Sequence, residues 1–181
     1  MSVATQQQLP TGTWKLDPIH STAGFAVKHM VVATFRGRFE DFDATLDVNE
    51  DGSGTLTGTV RADSIVVKDE NLAAHLKSPD FFDTANHPEI KFESLDVRID
   101  GDEAIVQGDL TIKGNTHPVQ GRGTYVAPHE DIAGFTKIGL SLETVVDRTK
   151  FGLNWNAPLP KGGFALSDEV TLQIELELAR A

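Results

Sequence analysis

Five apolar residues at strict two-residue spacing, Val170, Leu172, Ile174, Leu176 and Leu178, are separated by Thr171, Gln173, Glu175 and Glu177. Successive side chains of a strand point to opposite faces, so this run has one apolar and one solvated face. On a helix the same five residues would be smeared around the circumference. A chain built from such segments has to fold their apolar faces against one another.

The pattern recurs. Phe42, Ala44, Leu46 and Val48 lead into Asp51-Gly52-Ser53-Gly54, after which Leu56, Gly58, Val60 and Ala62 resume the alternation. Two alternating runs joined by a glycine-rich turn read as a β-hairpin. Ala104, Val106, Gly108, Leu110 and Ile112 form another run, and the turn Gly114-Asn115 introduces Val119, Gly121, Gly123 and Tyr125 on one face. Ile138, Leu140 and Leu142 add a further strand, as do residues 22–29 and 89–98, giving roughly eight strands. Phe92 has the opposite parity to Leu95, Val97 and Ile99, which points to a bulge in that strand. Residues 69–77 read as the helix: Asp69 is an N-cap, Leu72, Ala73, Ala74 and Leu76 are good formers, and Pro79 ends it. The stretch 148–163, with Pro158 and Pro160, is expected to cover one barrel end with irregular structure. The expected fold is all-β, an antiparallel barrel of about eight strands with one short helix, in which closure removes exposed strand edges. Residues 1–12 are expected to be a flexible segment before one domain over 13–181. A barrel of this size either fills with side chains or holds one small ligand, and periodicity does not separate these cases.

Composition narrows the function. The formal net charge of −11 disfavours nucleic acid and anionic head groups, leaving only a locally basic pocket mouth as an attractive surface. There is no cysteine, so thiol, disulfide and iron–sulfur chemistry are excluded. The glutamine-rich start does not read as a signal peptide, and no stretch approaches the ~20 apolar residues of a membrane helix. A cytoplasmic protein without stable membrane insertion is expected. The six histidines form neither a His-x-His pair nor a helical i,i+4 pair, so no metal site is read. His20, in Asp17-Pro18-Ile19-His20-Ser21, reads as part of a turn that ties the start of a strand. Nucleophile elbow, P-loop and dinucleotide fingerprint are all missing, and neither an enzyme nor a cofactor is expected.

Several stretches together resemble the YceI-like family. They are Trp14-Lys15-Leu16-Asp17-Pro18-Ile19-His20-Ser21 with Phe25 and His29, and Gly37-Arg38-Phe39 after Phe35. In the middle stand His75-Leu76-Lys77-Ser78, Asp80-Phe81-Phe82-Asp83, Pro88 and Phe92-Glu93-Ser94. Gly108-Asp109-Leu110-Thr111-Ile112 with Gly114, and Arg148 before Phe151-Gly152, complete the series. The chain departs from the family at Glu70-Asn71, where relatives place Arg-Asp before His-Leu. The resemblance implies a lipocalin-like barrel with a helix beside it, often as a homodimer, that binds polyisoprenoid or similar amphiphilic lipids in an elongated cavity.

Ten of the thirteen aromatics are phenylalanine, which can line such a cavity without leaving polar atoms unmatched. The expected ligand-binding residues are Phe25, His29, Phe35, Phe39, Phe81, Phe82, Phe92 and Phe151, with Arg36 and Arg38 gripping a charged head group. Arg148 and Lys150 beside Phe151 are the second head-group pair. The expected function is carriage or sequestration of a long-chain isoprenoid. The alternatives are an enzyme or accessory acting on isoprenoid-derived substrates, and a filled barrel serving as a stress or interaction protein.

Overall fold

The computed structural model describes residues 8–181. One antiparallel sheet contains β1 Gly12–Leu16, β2 Thr22–His29, β3 Ala33–Phe39, β4 Phe42–Val48, β5 Gly54–Arg61 and β6 Ile65–Val66. It continues with β7 Glu89–Asp100, β8 Glu103–Ile112, β9 Asn115–Glu130, β10 Thr136–Asp147 and β11 Leu166–Arg180. Three pairs of these strands are single spans interrupted by short breaks: β1 with β2 at residues 17–21, β3 with β4 at 40–41, and β5 with β6 at 62–64. Counted as spans they make an eight-stranded up-and-down barrel in which sequence neighbours pair. Trp14↔Arg180 and Leu16↔Leu178 between β1 and β11 close the ring.

The alternating runs became strands as their patterns require. β1 and β3 are strands that clean apolar alternation does not announce, because Thr13, Lys15, Arg36 and Arg38 dilute it. The parity conflict in β7 is a bulge: pairing with β8 skips between Ser94 and Asp96. Leu95 is thereby pushed outward while Phe92, Val97 and Ile99 all face in. The buried Ser94 hydroxyl accepts the Leu56 amide at 2.7 Å, so the bulge leaves that donor satisfied.

The helix α1, Glu70–Lys77, starts where the Asp69 carboxylate accepts the Leu72 amide at 2.8 Å. The β8–β9 turn is centred on Lys113-Gly114, both at positive φ, with Asn115 already in β9. A second turn is strained. In the β2–β3 hairpin Met30 and Val31 have φ of 51° and 68°, a conformation that costs a non-glycine residue about 1–3 kcal/mol and is least tolerated by β-branched side chains. Of the expected flexible stretch 1–12, residues 1–7 lie outside the described residues. Leu9 is buried and Gly12 opens β1.

The interior divides along the barrel axis. At the end holding the β4–β5, β7–β8 and β9–β10 turns, Trp14, Leu46, Ile99, Val106, Ile138, Leu140 and Leu178 are completely or almost completely buried in one packed cluster. Trp14 donates its indole N–H to the Pro10 carbonyl at 2.9 Å, and the Arg180 guanidinium lies 4.8 Å above its ring. At the other end α1, the β2–β3 hairpin and the 148–165 connection surround a second cluster that includes Phe39, Phe81, Phe82 and Phe151. That cluster lines a wall.

Candidate functional site

The hollow end encloses a cavity of about 460 Å³, within the roughly 300–1,000 Å³ typical of small-molecule sites. Its walls come from inward positions of the strands, among them Val60, Leu110, Val119, Val146, Leu172 and Ile174. Leu72 and Leu76 of α1 and Leu153 and Trp155 of the 148–165 connection complete it. A filled interior therefore describes only the opposite end of this barrel.

Space arises partly from inward positions occupied by glycine. Gly58 and Gly121 share the parity of Leu56, Val60, Val119 and Tyr125, yet contribute no side chain. A Cβ on either would meet only ordinary contacts at 3.6 Å or beyond. Gly37 serves differently. The Phe25 ring lies across it from the paired position on β2, so close that a Cβ would stand 2.6 Å from the ring.

All eight expected aromatic and histidine wall residues, Phe25, His29, Phe35, Phe39, Phe81, Phe82, Phe92 and Phe151, line the cavity. The Phe25 centroid is 6.2 Å from Phe35 and 6.1 Å from Phe39, and Phe39 meets Phe82 edge-to-face at 5.6 Å. Arg36 and Arg38 are not brought to this wall. The alternation that turns Phe35, Gly37 and Phe39 inward turns both arginines out, and Arg38 pairs with Glu40 at 3.2 Å. Lys150 is also exposed, its carbonyl bonded to the His117 ring at 2.9 Å.

Arg148 is different. It is only 5% exposed and lines the cavity. Nε donates to the Ser167 carbonyl at 2.8 Å, and Nη1 donates to the carbonyls of Leu153 at 2.6 Å and Trp155 at 2.9 Å. These bonds pin the 148–165 connection over the barrel end. Nη2 is buried without a hydrogen-bond partner, with Asp168 Oδ1 3.5 Å away as its counter-charge. Burial pulls the guanidinium pKa below the usual arginine value, opposed by Asp168 and Asp147.

Two wall residues have no simple sequence signal. Trp155 sits in an irregular connection without periodicity. His75 packs edge-on against both Phe81 and Trp155 at 5.0 Å, with its Nε2 2.9 Å from Asp80 Oδ2. Parity alone does not identify the inward glycines that leave space, since Gly108 and Gly123 share it and a Cβ on either would collide with the backbone of Ser94 or Ser141.

One carboxylate–histidine cluster lies at the packed end. Asp17, His20 and Glu177 bring candidate ligand atoms within 4.8 Å of one another. Lys137 Nζ already stands 3.1 Å from Asp17 and 3.2 Å from Asp131 and bonds Glu177, so an ammonium supplies the positive charge there. The His20 bond, then that of Lys137, holds the Asp17 carboxyl far below the usual range; Asp17 in turn raises His20. Hydrogen bonds donated to Glu177 and Asp17 raise Lys137. The Ser21 hydroxyl accepts the Glu177 amide at 3.0 Å, so this turn does tie the strand start to β11.

Among the described residues no helix is long and apolar enough to cross a membrane. A UPF0312 protein of Staphylococcus epidermidis is 32% identical over 174 residues, covering 92% of this chain and 96% of the relative. A UPF0312 protein of Staphylococcus aureus is 33% identical over 169 residues, covering 90% and 95%. Among solved structures, Burkholderia cenocepacia BcnA superimposes with a TM-score of 0.73 at 22% identity, over 90% of this chain and 98% of that one. The Campylobacter jejuni YCEI protein gives 0.70 at 26% identity, over 92% and 96%. A polyisoprenoid binding domain from Saccharophagus degradans gives 0.67 at 12% identity, over 93% and 98%. The barrel, its helix and a match of residues 14–178 to the YceI-like domain lead to one assignment: this chain belongs to the YceI-like family.

Proposed function

We propose that the protein binds a long-chain isoprenoid or similar amphiphilic lipid in the hollow end of the barrel and carries or sequesters it. The observation that carries this reading is the 460 Å³ cavity walled almost entirely by apolar side chains. Water disfavours a branched hydrocarbon tail by roughly 0.8 kcal/mol per CH₂-sized group. A few isoprene units therefore suffice for useful affinity even after the tail's lost conformational freedom is deducted. The polyisoprenoid-binding neighbour supports the ligand class.

Arg148 is the head-group contact in this reading. Its Nη2 has no hydrogen-bond partner, and the residue lines a largely apolar wall, donor capacity suited to a carbonyl, hydroxyl or phosphate oxygen at the end of an apolar chain. Delipidated protein should bind an apolar fluorophore at one site and release it to an added prenyl alcohol. Failure of every apolar probe to bind at micromolar concentration overturns the reading. Native mass spectrometry of freshly purified protein, followed by solvent extraction, identifies any cargo retained.

A further inference from the structure

A cavity that takes a lipid tail has to receive it from somewhere, because such tails are scarcely present free in water. We propose that the hollow end of the barrel docks on an anionic phospholipid bilayer, with the β2–β3 tip Met30–Val32 and the neighbouring Phe164 entering the head-group layer. This rests on the cavity being a lipid site, and adds how it is loaded and emptied.

Three observations converge on that end. The first is apolar exposure. Met30, Val31, Val32 and Phe164 are 41%, 66%, 84% and 61% exposed. They form one patch: the Met30 amide donates to the Ala165 carbonyl at 2.7 Å, and Val31 Cγ2 is 3.8 Å from where a Cβ on Gly163 would stand. The second is strain. A three-residue turn with two positive φ angles calls for asparagine or glycine, yet Met30 and Val31 occupy it. The fold holds bulky apolar side chains in solvent against both local backbone preference and burial. The patch also continues into the cavity, since His29 and Met30 belong to its lining.

The third observation is charge, and it names the partner. The chain as a whole is strongly acidic, but the acidity is segregated. The connections at the hollow end, residues 30–32, 67–88, 113–114 and 148–165, carry five basic side chains besides the buried Arg148, and four acidic ones. Those at the packed end, residues 49–53, 101–102 and 131–135, carry four acidic and no basic ones. The β2–β3 hairpin itself, residues 22–39, contains Lys28, Arg36 and Arg38 and no acidic residue. Arg38 is paired with Glu40, so Lys28 and Arg36 are the hairpin's remaining cations; Asp168 at the start of β11 is engaged by Arg148. The packed end has exposed apolar residues too, Ile132 and Phe135, but they stand beside Asp131 and Glu130. Anionic head groups would repel that end and attract the other. An apolar tip flanked by basic residues is the arrangement that holds a protein at an anionic interface.

The test is co-sedimentation with vesicles of phosphatidylcholine containing one-quarter phosphatidylglycerol, against phosphatidylcholine alone. The wild-type protein should bind the anionic vesicles at least tenfold more tightly and lose that advantage at high salt. The double variant Val31→Asn, Val32→Ser accepts the left-handed turn, so it should fold with an unchanged or higher Tm and bind the fluorophore normally. It should bind anionic vesicles at least tenfold more weakly. Equal binding by wild type and variant, or no wild-type binding at low salt while the fluorophore still binds, overturns the docking proposal alone. A wild-type dimer that the double variant converts to monomer also overturns it, since a second copy then covers the patch. Loss of fluorophore binding with vesicle binding retained would instead strike at the cavity reading.

Discussion

The two ends of this barrel are built by the same strands and the same alternation, yet one is solid and the other hollow. At the solid end inward positions hold Trp14, Leu46, Ile99, Ile138, Leu140 and Leu178, and Leu9 plugs what remains. At the hollow end the inward positions include Gly58 and Gly121, and the aromatics stand around the perimeter. An unfilled space forfeits dispersion contacts that close packing would supply, so the solid end carries the stability that the hollow end lacks. The division teaches that a small barrel can separate structural and binding duties by length along its axis, with no second domain. Electrostatics follow the same division, because the acidic turns cluster at the solid end.

That comparison is open to direct attack. The largest effect is expected from Trp14→Ala. It deletes the central side chain of the packed cluster and leaves the Pro10 carbonyl without its donor, for a loss of about 3–5 kcal/mol. Denaturant unfolding measures this, and fluorophore affinity of the folded fraction should be unchanged; a change of more than threefold would show that the ends are not separable.

Arg148→Met comes next. It strips the bond donors from the carbonyls of Leu153, Trp155 and Ser167; water can replace the donor at the two part-buried bonds, while the buried Leu153 carbonyl left unsatisfied costs about 1–3 kcal/mol. Stability should fall, and preference for a prenyl alcohol over the matching hydrocarbon should disappear. A stability loss with that preference intact would confine Arg148 to pinning the connection.

Gly58→Val sharpens the contrast by reversing the sign. The new side chain enters free space, since a Cβ there finds its nearest neighbours at 3.7 and 4.0 Å. Removing a strand glycine recovers about 0.5–1 kcal/mol. Thermal unfolding should show equal or greater stability, while competition assays show at least tenfold weaker ligand binding. The same change would be harmless to binding if the ligand lay elsewhere.

The smallest effect is expected from acid. Asp17 has a depressed pKa, so its contribution is fully present above the ordinary aspartate range near pH 4 and is lost as the pH falls through its folded value. His20 has a raised pKa; its contribution is complete below about pH 6.5 and fades as the pH rises through the folded value. Asp17→Asn should remove part of the acid-limb slope in a plot of Tm against pH and flatten the step attached to His20. An unchanged pH profile would detach this cluster from stability.

Much of the fold was legible. The β11 alternation, the β4–β5 hairpin, the capped helix and the β7 bulge all follow from local rules acting on particular residues. The cavity wall was legible through its aromatic residues; that Gly58 and Gly121 face open space while Gly108 and Gly123 abut backbone was not. Arg36 and Arg38 illustrate the limit: their shared face was readable, but the face belonged to the outside, because Phe35 and Phe39 own the inside. Trp155 and the burial of Arg148 were not legible, since an irregular connection has no period from which to infer direction.

The sequence by itself determined which side of the cleanly alternating strands meets the interior and roughly where the chain turns, because pleat, capping and turn chemistry act within a few residues. It also determined that the interior would be apolar and contain no thiol chemistry. Only the tertiary structure decided which interior residues stand at the same height. Closure of the ring through Trp14↔Arg180 and the stagger between spans set those levels. They gathered the large side chains at one end, left the glycines facing empty space near the other, and brought the strained Met30–Val32 tip beside Phe164. Ring closure and the contact of the tip with the Phe164 segment join residues more than a hundred positions apart, and no local rule reaches that far.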